Sequence, residues 1–227
     1  MEKSSHQVKV KVMDASELYD PEFRELIKSK KPTIIIPVGS LEQHGAHLPI
    51  TTDSDIVTEI ASRLAKKCGF IVFPTVSYGV SEEHAPLFNA SVTTTALRTI
   101  LANTILSLIE NGITSIIILN GHHGNIKTLL RLVGKGQGFP SVILFQSFRS
   151  KLGWTEVKDL QKDVSIPLRS MSYWNFMEHE FDHAGFVETS IMLLMRDKVL
   201  KKKIQKKYLK DFIAIDQKNL VNILVWV

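Results

Sequence analysis

Four short apolar runs constrain the fold of this chain more than any other feature. They are "TIIIP" at 33–37, "FIVFP" at 70–74, "SIIIL" at 115–119 and "SVILF" at 141–145. Their β-branched residues are not interrupted by polar ones, which is typical of strands covered on both faces of a parallel sheet. The runs therefore predict buried parallel strands.

Helical patterns separate these runs. The predicted helices cover about 54–68, 93–111, 125–135 and 187–208. Gly69 and Gly112 stand where the first two should stop. Strands that alternate with helices predict an α/β fold, namely a doubly wound, mostly parallel sheet with helices on both faces. The alternating stretch "HQVKVKV" at 6–12 predicts an additional edge strand.

Length and composition predict one domain over residues 1–227. Hydrophobic residues make up 44% and charged residues 22%, as in an average globular protein. The single cysteine, Cys68, excludes an intrachain disulfide and fits a reducing compartment. No apolar run reaches the roughly 18 residues of a membrane span, and "MEKSSHQVKV" has no apolar signal core. We therefore expect a cytoplasmic protein without a membrane partner.

The formal charge of +5 comes largely from the Lys-rich segment at 196–210. Its lysines alternate with apolar residues at helical spacing, which indicates a solvated helix face. No aromatic stacking platform accompanies it, so we do not expect nucleic acid as a partner. The apolar C-terminus "NLVNILVWV" has an open role, either in a subunit contact or in the sheet.

Metal-binding residue types follow the first strand. In open parallel sheets, ligands bind beyond the carboxyl ends of the strands. The loop "PVGSLEQHGAHLPITTDSD" at 37–55 places Glu42 and His44 two residues apart, so an extended backbone points both the same way. Asp53 follows, just before the predicted helix. Carboxylates and imidazoles are ligands for Zn²⁺, Mn²⁺ or Fe²⁺. Asp53 could instead be a helix N-cap, and His47 could be a ligand, a substrate contact or neither.

The loop "LNGHHGN" at 119–125 follows the third run. His122 and His123 are adjacent, so an extended backbone points them in opposite directions and only one is expected to be a ligand. A glycine-rich turn that enters a helix could also cradle a phosphate. The stretch matches neither a P-loop nor a dinucleotide-binding glycine pattern.

A third polar cluster lies in "HAGFVETS" at 183–190. His183 and Glu188 can act together as a ligand and an acid–base group if the turn at Gly185 brings them together. Alternatively, Glu188 only complements the dipole at a helix N-terminus.

These three segments, together with "YGVSEEH" at 78–84, resemble the creatininase (creatinine amidohydrolase) family in sequence and in order. The resemblance covers about residues 33–195. It implies an α/β fold with a two-metal site and hydrolysis of a non-peptide C–N bond in a cyclic amide or formamide. It also implies a small-molecule amide substrate and a homo-oligomer, which in this family is commonly a hexamer.

Carried over by position, the resemblance implies that two divalent ions (Zn²⁺, Mn²⁺ or Fe²⁺) are bound, with Asp53 bridging them and Glu188 completing the set. The implied metal ligands are Glu42, His44, Asp53, His122 and Glu188. His183 is implied as the proton carrier, with Glu188 as its catalytic partner. The expected substrate contacts are Ser81, His84, His123 and Trp174, with Trp154 as a second candidate tryptophan.

The chain also departs from the family pattern. Creatininases proper carry a glutamate ligand where this chain has Gly124, and "LFNASVT" at 87–93 replaces a common family sequence. Creatinine itself is therefore less favoured than hydrolysis in general. The alternatives are a formylamino-pyrimidine nucleotide deformylase of flavin or deazaflavin biosynthesis and a cofactor-maturation peptidase. A non-enzyme alternative is a phosphate-binding module that uses the "GHHG" turn.

Overall fold

The computed structural model describes residues 13–133, 168–176, 182–195, 199 and 203. The strands are β1 (Met13–Asp14), β2 (Ile34–Val38), β3 (Ile71–Val72), β4 (Ile116–Asn120) and β5 (Leu168–Ser172). The helices are α1 (Asp20–Lys30), α2 (Thr52–Cys68), α3 (Thr94–Glu110), α4 (Ile126–Val133) and α5 (Phe186–Met195). Among these helices, none has both the length and the hydropathy that crossing a bilayer requires.

Some of the predictions fall outside the described residues. They concern the edge strand at 6–12, the strand at 141–145, Trp154, most of the Lys-rich segment at 196–210 and the apolar end at 219–227. The predicted fourth helix begins at Phe186 rather than at about 187, and its described part ends at Met195.

All described strands belong to one sheet, whose order is β1-β3-β2-β4-β5. Every pairing in the sheet is parallel. Val38 pairs with Asn120, and Asn120 pairs with Ser172, so β2, β4 and β5 end at the same level. The loops that follow β2 and β4 therefore leave from one edge of the sheet.

Apolar side chains of β2 alternate between two cores, one on each face of the sheet. Ile34 and Ile36 pack with residues of α1, α3 and α4, whereas Ile35 packs with residues of α2 and α5. All three isoleucines are at most 2% exposed. Full burial of one such side chain contributes about 1.5–3 kcal/mol. The predicted parallel sheet with helices on both faces is confirmed.

Two predicted boundaries are corrected. The run at 70–74 forms only the two-residue strand β3, because its pairing with β1 and β2 is confined to Ile71 and Val72. Helix α2 begins at Thr52 rather than at about Ser54, so Asp53 lies inside the first turn. The N-cap is Thr51, and the alternative role of Asp53 as an N-cap is therefore wrong.

Gly121 lies where β4 leaves the sheet and passes close to α2. A Cβ atom at this position would lie 2.7 Å from the Val57 Cβ and 2.8 Å from the Asp53 carbonyl oxygen. The Asp53 carbonyl belongs to the helix backbone and cannot rotate away. A side chain at position 121 would therefore push α2 and the sheet edge apart.

We predict that Gly121→Ala lowers the free energy of unfolding by about 1–3 kcal/mol, the usual cost of overpacking a close contact. Urea unfolding followed by circular dichroism measures the change. Cys68→Ala is the control, because Cys68 is exposed and a substitution there should change stability by no more than about 0.5 kcal/mol. Equal urea midpoints for both variants would contradict the prediction.

Candidate metal centre

The loop after β2 is extended where it carries Glu42 and His44. The Gln43 N–H donates to the Phe88 carbonyl at 2.8 Å, and the Glu42 N–H donates to the Ile50 carbonyl at 3.1 Å. Backbone segments on both sides therefore hold this stretch straight. Glu42 and His44 are both 0% exposed, and their side-chain ligand atoms come together with that of Asp53. The side chains of Glu42 and His44 therefore converge on one place, as expected for residues two apart in an extended segment.

In its neutral form, His44 presents an unprotonated nitrogen to the other site residues. Its Nδ1 lies 3.0 Å from the Glu42 carbonyl oxygen, which can only accept a hydrogen bond, so Nδ1 carries the proton in the neutral ring. Its Nε2 lies 3.1 Å from Asp53 Oδ1 and 3.6 Å from Glu188 Oε2. Such a carbonyl-anchored imidazole is the usual arrangement of a metal-binding histidine.

His122 has the same arrangement with its two nitrogens exchanged. Its Nε2 donates to the Val80 carbonyl at 2.8 Å. Its Nδ1 lies 3.0 Å from Asp53 Oδ2 and 3.3 Å from Glu42 Oε1. His123, by contrast, is exposed. The prediction that the two adjacent histidines point in different directions is confirmed.

Two asparagines hold the loop that carries His122. Asn120 donates to the His122 carbonyl at 2.8 Å and accepts from the His122 N–H at 3.2 Å. Asn125 donates to the Gly39 carbonyl at 3.0 Å and accepts from the Val80 N–H at 2.9 Å. The asparagines thereby join the loops after β2, β3 and β4. Sequence reasoning did not select them, although both lie in the "LNGHHGN" motif.

The backbone amides of this turn are largely occupied by the protein itself. The Gly121 N–H donates to the Val38 carbonyl at 2.8 Å, and the Asn125 N–H donates to the His122 carbonyl at 3.2 Å. Because the His122 N–H is bonded to Asn120 as well, these three amides are not available to an anion. This counts against the phosphate-cradle interpretation of the turn.

The turn before α5 brings His183 and Glu188 to the same place as His44. The ligand atoms of these three residues lie within 4.8 Å of one another. Ala184 has a positive φ of 51°, and its N–H donates to Glu188 Oε2 at 2.6 Å. Asp182 caps the helix by accepting from the Phe186 N–H at 2.6 Å. The turn therefore positions Glu188 inside the site, and the expected convergence of His183 and Glu188 is found.

Three buried carboxylate oxygens in this cluster accept no hydrogen bond of acceptable geometry. They are Glu42 Oε1, Asp53 Oδ2 and Glu188 Oε1. Imidazole nitrogens lie as close as 2.9 Å to Glu42 Oε1 and 3.0 Å to Asp53 Oδ2. Burial of an unsatisfied carboxylate is costly unless a cation compensates it. The oxygens and the imidazole lone pairs therefore fit divalent metal ions, which prefer this donor set.

The charges of the cluster support the same conclusion. Burial lowers the pKa of His44, but Asp53, together with Glu188 and the Glu42 carbonyl, outweighs burial and raises the pKa to about 9. For His122, burial is likewise outweighed by Asp53 and Glu42, and the pKa rises to about 10. Burial, opposed by His44 and reinforced by Asp53, raises the pKa of Glu188 to about 8. Without metal at neutral pH, protons on both imidazoles and on Glu188 therefore offset the charge of the buried carboxylates.

His183 differs from the two anchored histidines. Burial and repulsion from His44 lower its pKa, so the ring is neutral at neutral pH. Its Nδ1 lies 3.7 Å from Glu42 Oε1, and its side chain is 31% exposed. It therefore lies between the buried cluster and solvent.

The expected substrate contacts differ in their distance from the cluster. His84 Nε2 lies 2.9 Å from Glu42 Oε1, and the His84 ring centroid is 4.6 Å from that of His183. Ser81 is fully buried and precedes the short 3-10 helix Glu82–His84. His123 and Trp174 stack with ring centroids 6.3 Å apart, outside the groups that could hold a metal.

Sequence reasoning missed other residues at this edge. Gln43 contacts both His84 and His183 at 3.0 Å. Tyr173 is 1% exposed, and burial together with Glu188 and Asp53 raises the pKa of its phenol. His47, left open above, bonds Thr189 Oγ1 at 2.9 Å. The position of Gln43 between Glu42 and His44 was the one signal that could have identified it.

Comparisons with known proteins place this chain among hydrolases of one family. The creatininase family model, described as creatinine amidohydrolase, matches residues 16–221. The mycofactocin precursor peptide peptidase of Mycolicibacterium smegmatis is 29% identical over 180 residues, covering 74% of this chain and 59% of that protein. The creatinine amidohydrolase of Pseudomonas putida is 25% identical over 186 residues, covering 79% and 70%. The solved structure "Creatininase Mn" has a TM-score of 0.69 at 22% identity, covering 85% and 77%.

The fold and the site define an α/β protein with a candidate metal centre at the carboxyl ends of parallel strands. Because the family model matches most of its length, the chain belongs to the creatininase family. It spans 59% of the length of the mycobacterial relative described above. The family named from the sequence is therefore confirmed.

We predict that binding of Zn²⁺ or Mn²⁺ releases more than two and up to about three protons per chain at pH 7.5, because metal ligands must be deprotonated. Metal-free His44, His122 and Glu188, with pKa values of about 9, 10 and 8, are largely protonated at that pH. Proton release should vanish above all three pKa values, so affinity should rise with pH up to that point. Calorimetric titrations in HEPES and Tris, whose ionisation enthalpies differ, measure the release. Identical binding enthalpies in the two buffers would contradict the prediction.

Proposed function

We propose that this chain is a metal-dependent amidohydrolase that cleaves a non-peptide C–N bond in a cyclic amide or formamide. Membership of the creatininase family supports the reaction class. The buried cluster of carboxylates and imidazoles supports dependence on metal. A small-molecule amide is the proposed substrate.

One observation carries the proposal: Asp53 faces two histidines with its two oxygens. Its Oδ1 lies 3.1 Å from His44 Nε2, and its Oδ2 lies 3.0 Å from His122 Nδ1. Each of these nitrogens is the unprotonated one of its neutral ring. A carboxylate shared between two such nitrogens divides the cluster into two subsites, which we propose hold two divalent ions.

The remaining ligands divide between the subsites by distance. Glu42 Oε1 lies 3.3 Å from His122 Nδ1, and Glu188 Oε2 lies 3.6 Å from His44 Nε2. Glu42 would therefore share one ion with His122, and Glu188 would share the other with His44. Glu188 would supply the carboxylate that creatininases proper carry at the position of Gly124.

Hydrolysis of an amide requires an activated water and a protonated leaving nitrogen. Divalent ions supply an activated water near neutral pH and polarise a carbonyl oxygen. His183 is neutral at neutral pH and partly exposed beside Glu42, so it can take up a proton and return it to the leaving amine. We assign this proton transfer to His183, with Glu188 holding the second subsite beside it.

A peptide is a second candidate substrate. The mycobacterial relative is named a mycofactocin precursor peptide peptidase. Around the loop that carries Glu42, the large apolar side chains of Leu87 and Phe88 are 58% and 55% exposed. Such side chains could contact apolar residues of a peptide. The nucleotide deformylase alternative has no comparable support among the described residues, and homo-oligomeric assembly stays a prediction.

The proposed activity is tested by metal analysis and a substrate screen. Protein purified without an affinity tag should contain stoichiometric Zn, Mn or Fe, and it should hydrolyse a cyclic amide, a formamide or a short peptide after addition of these ions. The proposal would be overturned by protein that is purified without metal and stays inactive on all three substrate classes after Zn, Mn or Fe is added.

We predict that Asp53→Asn lowers activity by more than about 100-fold, since even residues that only support metal ligands cost 10–100-fold. Metal that binds the folded chain should raise its melting temperature, and Asp53→Asn should abolish that rise. Asp55→Asn is the matched control, because Asp55 lies in the same helical turn and accepts from Thr51 Oγ1 at 2.9 Å. Equal metal affinity of the two variants would show that Asp53 is not a ligand.

A further inference from the structure

We infer that Gln43 keeps His84 from acting as a metal ligand like the other histidines of this site. It does so by holding the proton of the neutral His84 ring on Nε2. His84 is then a hydrogen-bond donor to bound substrate and is excluded from the metal ligands. The inference rests on the proposed function, and it assigns Gln43 as a positioning residue that acts through His84.

Proximity alone would make His84 a metal ligand. Its Nε2 lies 2.9 Å from Glu42 Oε1, closer than the 3.3 Å between that oxygen and His122 Nδ1. The ligand atoms of Glu42, His84 and His183 all lie within 4.8 Å of one another. A criterion other than distance is therefore needed to separate His84 from the ligands.

The partner of the outer nitrogen provides that criterion. His44 and His122 each direct one nitrogen at a backbone carbonyl, and a carbonyl only accepts. The proton of each neutral ring is thereby held on the outer nitrogen, and the inner nitrogen keeps its lone pair. A metal ion requires that lone pair.

His84 has the opposite kind of partner. Its Nδ1 lies 3.0 Å from the side-chain nitrogen of Gln43. The orientation of the Gln43 amide is fixed, because its oxygen accepts from the Gly45 backbone N–H at 3.0 Å. The amide NH₂ group only donates, so His84 Nδ1 must accept and Nε2 must carry the proton. The inner nitrogen of His84 therefore has no lone pair for a metal.

The Nε2–H of His84 has no acceptor of good geometry in the described part of the chain. Glu42 Oε1 is close to it but accepts no hydrogen bond of acceptable geometry. The donor is available to the oxygen of a substrate amide. That oxygen gains negative charge when the nucleophile adds to the carbonyl carbon. Donors fixed in this way stabilise the transition state of acyl transfer.

The same glutamine serves His183 differently. His183 Nε2 lies 3.0 Å from the Gln43 side-chain nitrogen and 3.0 Å from the Gln43 carbonyl oxygen. The amide donates when Nε2 is unprotonated, and the carbonyl accepts when Nε2 is protonated. Either tautomer of His183 keeps a partner, whereas His84 is restricted to one.

The test uses the full chain with ¹⁵N-labelled histidine side chains, in metal-free and zinc-loaded forms. Long-range ¹H–¹⁵N correlation spectra separate protonated, unprotonated and metal-bound imidazole nitrogens. In the zinc-loaded wild type we expect metal-bound His44 Nε2 and His122 Nδ1, with His84 protonated at Nε2. Gln43→Glu offers only acceptors, so its His84 proton should move to Nδ1 and its Nε2 should become a third metal-bound nitrogen.

Gln43→Met removes both side-chain partners and should leave His84 in a mixture of tautomers, with kcat reduced about 10–100-fold and zinc affinity retained. Asn89→Ser is the control. Asn89 pairs with Glu42 through the backbone, and its side-chain amide donates to the Leu87 carbonyl at 3.1 Å, away from the histidines. This variant should give the wild-type imidazole spectrum.

The outcomes separate the two proposals. Zinc bound to His84 Nε2 in the wild type, or a wild-type His84 protonated at Nδ1, would overturn the role of Gln43 and leave the metal-dependent function intact. Absence of zinc binding, with His84 protonated at Nε2 in the metal-free protein, would overturn the proposed function and support the role of Gln43.

Discussion

The site depends on the burial of three carboxylates in one small volume. Glu42, Asp53 and Glu188 are each at most 1% exposed. Removal of a carboxylate from water is unfavourable unless opposite charge accompanies it. Protonated imidazoles meet that requirement in the metal-free chain, as the raised pKa values of His44 and His122 show. Divalent cations would meet it with twice the charge of a proton at each position, so the cluster is suited to an exchange of protons against metal.

The fold creates this burial by ending three parallel strands at one level. The loops after β2 and β4 then meet above the start of α2, where the contacts of Gly39 with Ser54 and of Gly121 with Val57 leave no room for a side chain. The cap formed by Asp182 adds the turn before α5 from the other side. The ligands are thus fixed by backbone positions, and apolar burial on both faces of the sheet provides the stability that the polar cluster lacks.

Parts of this arrangement could be predicted from the sequence. The runs at 33–37 and 115–119 are apolar without interruption, so burial on both faces followed directly, and their loops then pointed to Glu42, His44, Asp53 and His122. Strand β5 could not be predicted, because "LRSMS" lacks such a run and its place depends on pairing with β4. Gln43 and Asn125 lie inside the recognised motifs, but their roles depend on contacts 41 and 45 residues distant, which the motifs do not reveal.

The residue that position 124 can hold depends on the path of another loop, the one that carries Val80 and Glu83. A Cβ atom at this position would overlap the Val80 carbonyl oxygen and approach Glu83 Oε1 at 2.6 Å. Any larger residue would displace the segment that continues to His84. Glutamate introduced at 124 alone would therefore displace that segment, so this substitution would not simply add a carboxylate ligand to the centre.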